Sequence, residues 1–201
     1  MKAYILGSGS DGNCTILEND SDAIMLDCGV PRLSKIEDIP WDKIRGICIT
    51  HSHTDHTNKL KTALRRADVP VYITREEYFT DRFQKQFGGF IENPPLIKFV
   101  EPNLAFQVGS FTVLPIRACH DTPLPCHFFV QDEYNSFFYG SDTVDISMDA
   151  FNCMCIADFV MIESNYDEQV MKTDTLDNEQ IIYPYDSDLK YRIKYTAHMS
   201  N

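Results

Sequence analysis

Three of the six histidines of this chain lie within six residues, in the segment HSHTDH that starts at His51. The segment follows the apolar run GICIT at residues 46–50, which is typical of a short buried strand. Side chains two residues apart at the end of a strand project to one side, so His51 and His53 can hold one metal ion. Asp55 and His56, where the chain turns into a helix, are placed to hold a second ion, as in two-metal hydrolytic sites. The pattern therefore predicts a metal site where a strand leads into a helix.

The remaining segments predict a mixture of strands and helices without repeats or flexible linkers. Strand-like runs cover residues 3–6, 14–17, 23–27, 71–74, 111–117, 127–131, 136–139 and 159–163, and helical patterns cover 55–67, 76–87, 146–155 and 189–195. Strand meanders in both halves favour two sheets enclosed by helices over a doubly wound parallel sheet. We expect a single domain over residues 1–201.

Composition narrows the partners that such a domain can bind. A net charge of −12 argues against a broad electrostatic grip on a nucleic-acid backbone, although a local basic groove stays open. The basic residues Lys59, Lys61, Arg65 and Arg66 are either such a patch or a solvated helix face. The first apolar run, residues 3–6, is too short for a signal peptide, and no run of 18 apolar residues occurs. We expect a cytoplasmic protein with reduced cysteines and no membrane span.

The histidine segment and three later residues resemble the metallo-β-lactamase-fold hydrolases. Members of this family carry H-x-H-x-D-H, then a lone His, a bridging Asp and a final His, and the chain offers His120, Asp142 and His198 in that order. The resemblance implies an αββα sandwich, with two mixed sheets flanked by helices, and two divalent metal ions, zinc or alternatively manganese. It places one ion on His51, His53 and His120 and the other on Asp55, His56 and His198, with Asp142 bridging.

The resemblance also suggests roles for residues around the metals. Asp27 matches an early Asp of the family that orients ligand imidazoles, although an Asp before Gly29 also suits a turn. Asp55 is a candidate for proton transfer to the leaving oxygen, unless binding metal is its only role. In the glycine-rich opening loop, Ser8, Ser10 and Asn13 either donate hydrogen bonds to substrate or form a tight turn. His127 falls in a strand-like run and is interpreted as structural.

Further segments of the chain are similar to the YycJ/WalJ group, which is related to the tRNase Z enzymes and to phage anti-Pycsar phosphodiesterases. They comprise residues 7–14 (GSGSDGNC), 163–167 (ESNYD), Met171, Tyr183, Pro184, 189–193 and 198–201. Residues 172–182 are polar and resemble a surface insertion. Family members usually continue for some tens of residues past the last His, whereas this chain stops three residues after His198. Either the sequence is trimmed or the final cap of the fold is absent, and in both cases we expect a domain that is short at its C-terminus, with the second metal site most affected.

These features favour metal-assisted hydrolysis of a phosphodiester, because divalent ions activate water near neutral pH. An Asp at 142, where antibiotic-hydrolysing members have Cys, points to phosphodiesterases and thioesterases. The acidity favours a cyclic mononucleotide, cyclic CMP or cyclic UMP as in phage immune evasion, over a long polyanion. The alternatives are a YycJ-like DNA exonuclease or a tRNase Z-like nuclease, a thioesterase or lactonase, and a non-catalytic nucleotide-binding protein. A homodimer is common among these relatives.

Overall fold

The computed structural model describes residues 1–88 and 96–162, and within these ranges the strands form two mixed sheets. The first sheet contains, in spatial order, β1 (Lys2–Gly7), β2 (Cys14–Glu18), β3 (Ala23–Leu26), β4 (Ile44–Cys48), β5 (Val71–Thr74) and β6 (Ile97–Val100). It is antiparallel from β1 to β3 and parallel from β3 to β6. Metal-ligand candidates follow β4, at the carboxyl end of a parallel strand.

The second sheet contains, in spatial order, β11 (Phe159–Ile162), β10 (Ser136–Gly140), β9 (Cys126–Gln131), β8 (Phe111–Arg117) and β7 (Phe106–Val108). Its strands are antiparallel except that β11 runs parallel to β10. The helices are α1 (Thr54–Thr57), α2 (Leu60–Arg66), α3 (Arg75–Tyr78), α4 (Asp81–Phe87) and α5 (Met148–Ile156), with a 3-10 turn at Leu33–Lys35. None of the helices in the described ranges is long and apolar enough to cross a bilayer.

Alternation along the strands separates the apolar side chains into layers. In β3, Ile24 and Leu26 pack with Phe111 and Phe128 of the second sheet, whereas Met25 packs on the opposite face. A further cluster joins the second sheet to α5; it consists of Ile116, Phe129, Phe138 and Ala150. Helices therefore cover the outer face of each sheet, and the predicted αββα sandwich is confirmed.

Several elements end earlier than their patterns predict, because loop groups take their backbone hydrogen bonds. The strand expected over residues 46–50 ends at Cys48, and the amide of Thr50 donates to Asp27 Oδ1 at 2.9 Å. The helix expected over 55–67 divides into α1 and α2, since the amide of Lys59 donates to the Cys28 carbonyl at 2.8 Å. The helix expected over 76–87 divides where the Thr80 hydroxyl caps α4 by accepting from the amide of Phe83.

Two short strands of the structure are missing from the sequence-based prediction, and two predictions include residues that the structure does not describe. Strands β6 and β7 are absent from the sequence-based prediction because each is an edge strand with a single buried residue, and Lys98 or Gln107 interrupts its short apolar run. The helix expected over 189–195 lies outside the described residues. The single-domain assignment for 1–201 stays a prediction.

Candidate metal centre

The segments that follow β4, β8 and β10, the first of which includes helix α1, bring six of the seven predicted metal ligands to one edge of the sandwich. His51, His53, His120 and Asp142 form one cluster, and Asp55, His56 and Asp142 form a second. Within each cluster the ligand atoms all lie within 4.8 Å of one another. The seventh candidate, His198, lies outside the described residues, as do the matches at 163–167, Met171, Tyr183, Pro184, 189–193 and 198–201.

Asp142 is the residue that the two clusters share. Its Oδ2 atom lies 3.9 Å from His51 Nε2 and 3.6 Å from His120 Nε2. Its Oδ1 atom lies 3.6 Å from His56 Nε2, in the other cluster. A carboxylate whose two oxygens face different ligand groups has the geometry of a bridging ligand.

The ring nitrogens that face away from the clusters are held by Asp27 and Thr50. Asp27 Oδ2 lies 2.8 Å from His56 Nδ1 and accepts from the hydroxyls of Thr50 and Tyr139. The Thr50 hydroxyl is also 3.0 Å from His51 Nδ1. Outer partners of this kind fix the orientation of ligand imidazoles. With Nδ1 of His51 and His56 occupied, Nε2 of each ring points to the clusters, and imidazoles with carboxylates fit a divalent ion.

Electrostatics differ between the two clusters. Burial by itself would lower the pKa of His56, but the charge of Asp27 and hydrogen bonds to Asp142, Asp27 and Asp55 raise that pKa well above its ordinary value. Burial and the neighbouring His120 lower the pKa of His53, while Asp121 opposes them. The carboxylates around His56 therefore attract positive charge, which a bound cation supplies without a proton.

The three predicted substrate-binding residues occupy two different environments. The side-chain nitrogen of Asn13 lies 2.9 Å from His56 Nε2 and 3.2 Å from Asp55 Oδ2, inside the second cluster. Its oxygen accepts from the amide of Gly9 at 2.9 Å. Ser8 and Ser10 are exposed on the loop that leads to Asn13. The structure thus brings Asn13 to the metal-ligand candidates and leaves the two serines facing solvent.

Close backbone packing holds the second cluster against the loop after β3. A Cβ atom on Gly29 would lie 1.5 Å from the carbonyl oxygen of Asp55, so only glycine fits this approach. The Asp55 carbonyl accepts from the amide of Asn13 at 2.7 Å, and the His56 carbonyl accepts from that of Cys28 at 2.8 Å. The positions of Asp55 and His56 therefore depend on two loops that are distant in sequence.

Two residues near the ligands have no assigned role in the sequence analysis. Glu77 is buried, and its carboxylate accepts from the amides of Ser52 at 2.8 Å and Leu124 at 2.9 Å. Asp121 Oδ1 lies 3.3 Å from His53 Nε2 and 3.2 Å from His120 Nε2. Adjacency to His120 is a signal for Asp121, whereas no motif marks Glu77.

The sequence pattern of the metallo-beta-lactamase superfamily matches residues 7–144, more than half of the chain. The protein belongs to this superfamily, and the predicted family is confirmed. The chain is 24% identical over 173 residues to "Exodeoxyribonuclease YycJ" of Bacillus anthracis, covering 84% of this chain and 64% of the relative. It is 25% identical over 179 residues to "Exodeoxyribonuclease WalJ" of Streptococcus pneumoniae serotype 2, covering 86% of this chain and 65% of the relative.

The chain therefore spans slightly less than two thirds of the length of these relatives, and the predicted similarity to the YycJ/WalJ group is confirmed. Among solved structures, the metallo-beta-lactamase fold protein YhfI from Bacillus subtilis matches with a TM-score of 0.66 at 19% identity. That match covers 83% of this chain and 71% of YhfI, and it supports the fold. The relationships to tRNase Z and to the phage phosphodiesterases stay predictions.

Proposed function

We propose that the protein is a metal-dependent phosphodiesterase that hydrolyses a nucleotide phosphodiester with two divalent ions. The observation that carries this proposal is Asp142, whose two carboxylate oxygens face two separate groups of ligand candidates. The names of the YycJ and WalJ relatives support a phosphodiester as the bond that is cleaved.

In this proposal His51, His53 and His120 would hold one ion, Asp55, His56 and His198 would hold the other, and Asp142 would be shared between them. When bound, the ions neutralise phosphate charge and activate water for attack. Imidazole-rich ligation favours zinc, whereas the carboxylates and a phosphate substrate also admit manganese.

The protein's own groups position these ligands and move a proton. Asp27 holds His56 through Nδ1, and Asn13 orients Asp55 through its side-chain amide. The Asp55 side chain is 23% exposed, so its carboxylate can reach a substrate, accept a proton from the attacking water and pass that proton to the leaving oxygen. Ser8 and Ser10 donate hydrogen bonds to the substrate from the exposed opening loop.

Two substrates have specific support. The net charge of −12 favours a cyclic mononucleotide, cyclic CMP or cyclic UMP, because a small ligand needs few contacts besides the metals. The names of the relatives favour removal of nucleotides from DNA ends.

We also propose that the protein is a cytoplasmic homodimer. Sedimentation velocity measures the oligomeric state.

The test is hydrolysis of bis(p-nitrophenyl) phosphate, cyclic CMP, cyclic UMP and single- and double-stranded DNA beside a panel of thioesters and lactones, with zinc or manganese supplied and metal content measured. Cleavage of the cyclic nucleotides alone supports the first substrate, and degradation of DNA supports the second. Turnover restricted to thioesters or lactones, or two bound metals without any turnover, would contradict the phosphodiesterase proposal.

The site assignment is tested by His53→Ala with a matched variant, His127→Leu. We expect His53→Ala to lower both metal content and phosphodiester hydrolysis, the latter by more than about 100-fold, since it removes a ligand. His127→Leu removes a histidine outside the clusters and keeps both properties. Full activity and metal content in His53→Ala would show that the ligands lie elsewhere.

A further inference from the structure

A cleft of about 670 Å³ lies beside the candidate metal centre and shares His120 with it. Its volume falls within the range of about 300–1,000 Å³ that small-molecule sites occupy. Part of the lining is the proline wall, defined here as Pro123, Leu124 and Pro125, and another part includes Asp145 and Asp149. Arg117, the last residue of β8, also lines the cleft.

Hydrogen bonds hold both parts of the lining in place. The Leu124 carbonyl accepts from the Thr74 hydroxyl at 2.9 Å, and the Leu124 amide donates to Glu77 at 2.9 Å. Next to Asp145, the amide of Val144 donates to the Cys119 carbonyl at 2.8 Å, and the Thr143 hydroxyl donates to the Asp145 carbonyl at 2.7 Å. The cleft is therefore formed before any ligand arrives, which lowers the entropic cost of binding.

Charge is distributed unevenly along the cleft. Arg117 is the one Lys or Arg in the lining, and its side chain is exposed. Within the described ranges its guanidinium group forms no hydrogen bond or ion pair. Asp145 accepts from the amide of Ile146, and Asp149 accepts from the Asn103 side chain, each through one oxygen. An anionic group is thus favoured near Arg117 and disfavoured near the two carboxylates.

We infer that this cleft binds the nucleoside of a single nucleotide whose phosphate lies at the His120 end, an inference that rests on the proposed function. Arg117 pairs with the phosphate, and the proline wall contacts the base and sugar. Asp145 and Asp149 accept hydrogen bonds from amino or hydroxyl groups and repel a second phosphate. The substrate class is therefore one nucleoside with one phosphate, either a cyclic mononucleotide or the terminal nucleotide of a chain.

Calorimetric titration of the metal-loaded protein with CMP and with ribose 5-phosphate tests the inference without turnover. We expect CMP to bind at least about tenfold more tightly, because only CMP has a base to contact the proline wall. Leu124→Ala removes most of that difference, and its backbone hydrogen bonds can persist. Equal affinity of the wild-type protein for the two ligands would overturn the inference.

Arg117→Gln tests the phosphate end of the cleft. We expect it to weaken both ligands about tenfold, because a charge-assisted hydrogen bond is lost, and Arg117→Lys to restore part of the affinity. The matched control is Arg45→Gln, which changes an exposed arginine at the opposite end of β4 from the ligands and leaves both affinities unchanged. Unchanged affinity in Arg117→Gln would also overturn the inference.

Hydrolysis of cyclic CMP and of oligodeoxycytidylate distinguishes the two sources of the nucleotide. Release of mononucleotides from one end of the oligomer, or opening of cyclic CMP, agrees with a cleft for one nucleoside, whereas internal cleavage alone contradicts it. Base-dependent, Arg117-dependent CMP binding without hydrolysis of any diester would reject the proposed function and keep the cleft. Hydrolysis of bis(p-nitrophenyl) phosphate with no base-dependent binding would reject the cleft and keep the function.

Discussion

The buried carboxylate of Glu77 accepts hydrogen bonds from two loops that carry different parts of the site. One bond comes from Ser52, between two metal-ligand candidates, and the other comes from Leu124, in the proline wall. In Glu77→Gln one of these two amides faces an NH₂ group that cannot accept its hydrogen bond. We expect the free energy of unfolding to fall by about 2 kcal/mol, measured by urea denaturation.

The neighbouring Glu76 offers a matched control for this substitution. Glu76 is exposed, so Glu76→Gln should change stability by less than about 0.5 kcal/mol. Metal content should fall in Glu77→Gln and not in Glu76→Gln. Equal stability of the two variants would mean that the two hydrogen bonds of Glu77 contribute little.

Because of His127, we expect the free energy of unfolding to depend on pH. The residue is buried against Phe138, and neither ring nitrogen has a hydrogen-bond partner among the described residues. Burial lowers the pKa of His127 from 6.5 to about 4. As pH falls from 6.5 towards 4, the unfolded chain therefore takes up a proton that the folded chain refuses, and stability is lost.

His127→Leu should remove this acid-side loss. The free energy of unfolding of the variant minus that of the wild-type protein should increase by up to about 3 kcal/mol as the pH falls from neutral to 4. Urea denaturation with a chelator in both samples measures this difference. Other titrating groups contribute equally to both proteins and cancel in the difference. A difference that does not vary with pH would assign the acid sensitivity to other residues.

Individual site residues differ in how far the sequence predicts them. His51, His53 and His56 are predictable because the chain has only six histidines, imidazole is a common metal ligand, and their spacing on one short segment is distinctive. Glu77 cannot be predicted, because its partners are backbone amides 25 and 47 positions away and carry no side-chain signal. Asp27 lies between these cases, since only the fold shows that it faces His56 rather than closing a turn.

At the scale of elements, the loop after β3 and helix α1 are packed with backbone against backbone. Gly29→Ala would place a methyl group 1.5 Å from the Asp55 carbonyl oxygen, so α1 has to move away. We expect a loss of about 3 kcal/mol in stability and a loss of metal from the second cluster, measured by urea denaturation and metal analysis.

Gly9→Ala separates this contact from backbone strain alone. Gly9 has a φ of +150°, but a Cβ atom there meets nothing within 4 Å. This variant should lose about 1 kcal/mol and keep its metal. Retention of full metal content by Gly29→Ala would show that α1 tolerates the displacement.

The ends of elements are the part of the fold that the sequence predicts least well. Helix-forming residues continue from 55 to 67, yet α1 ends at Thr57 because the Lys59 amide donates to Cys28. The strand before it ends at Cys48 because Asp27 takes the amide of Thr50. Both ends depend on tertiary hydrogen bonds, whereas the existence of strand and helix follows from local periodicity.

At the scale of the whole molecule, the metal-ligand candidates come from both sheets. His51, His53, Asp55 and His56 follow a strand of the first sheet, and His120 and Asp142 follow strands of the second. Bound ions would therefore cross-link the two layers, and only the folded chain presents the whole ligand set. Metal binding should stabilise the sandwich by mass action.

Removal of metal with a chelator should accordingly lower the melting temperature. For an ion present at about a thousandfold excess over its dissociation constant the loss is about 4 kcal/mol, or roughly 10 °C for a chain of this size. Differential scanning calorimetry measures the shift, and His53→Ala should show a smaller one. A melting temperature that does not respond to the chelator would contradict metal binding by these clusters.

The two hydrogen bonds of Glu77 also affect how the ligand specificity of such a protein can evolve or be re-engineered. Substitutions that shift the backbone around Leu124 to admit a bulkier ligand would disturb the same carboxylate that holds Ser52. Selection for new ligands on that side would be coupled to selection for metal retention. Among the described residues Asp149, in α5, is hydrogen-bonded to the Asn103 side chain and not to Ser52, which makes its position the more permissive starting point for mutant libraries.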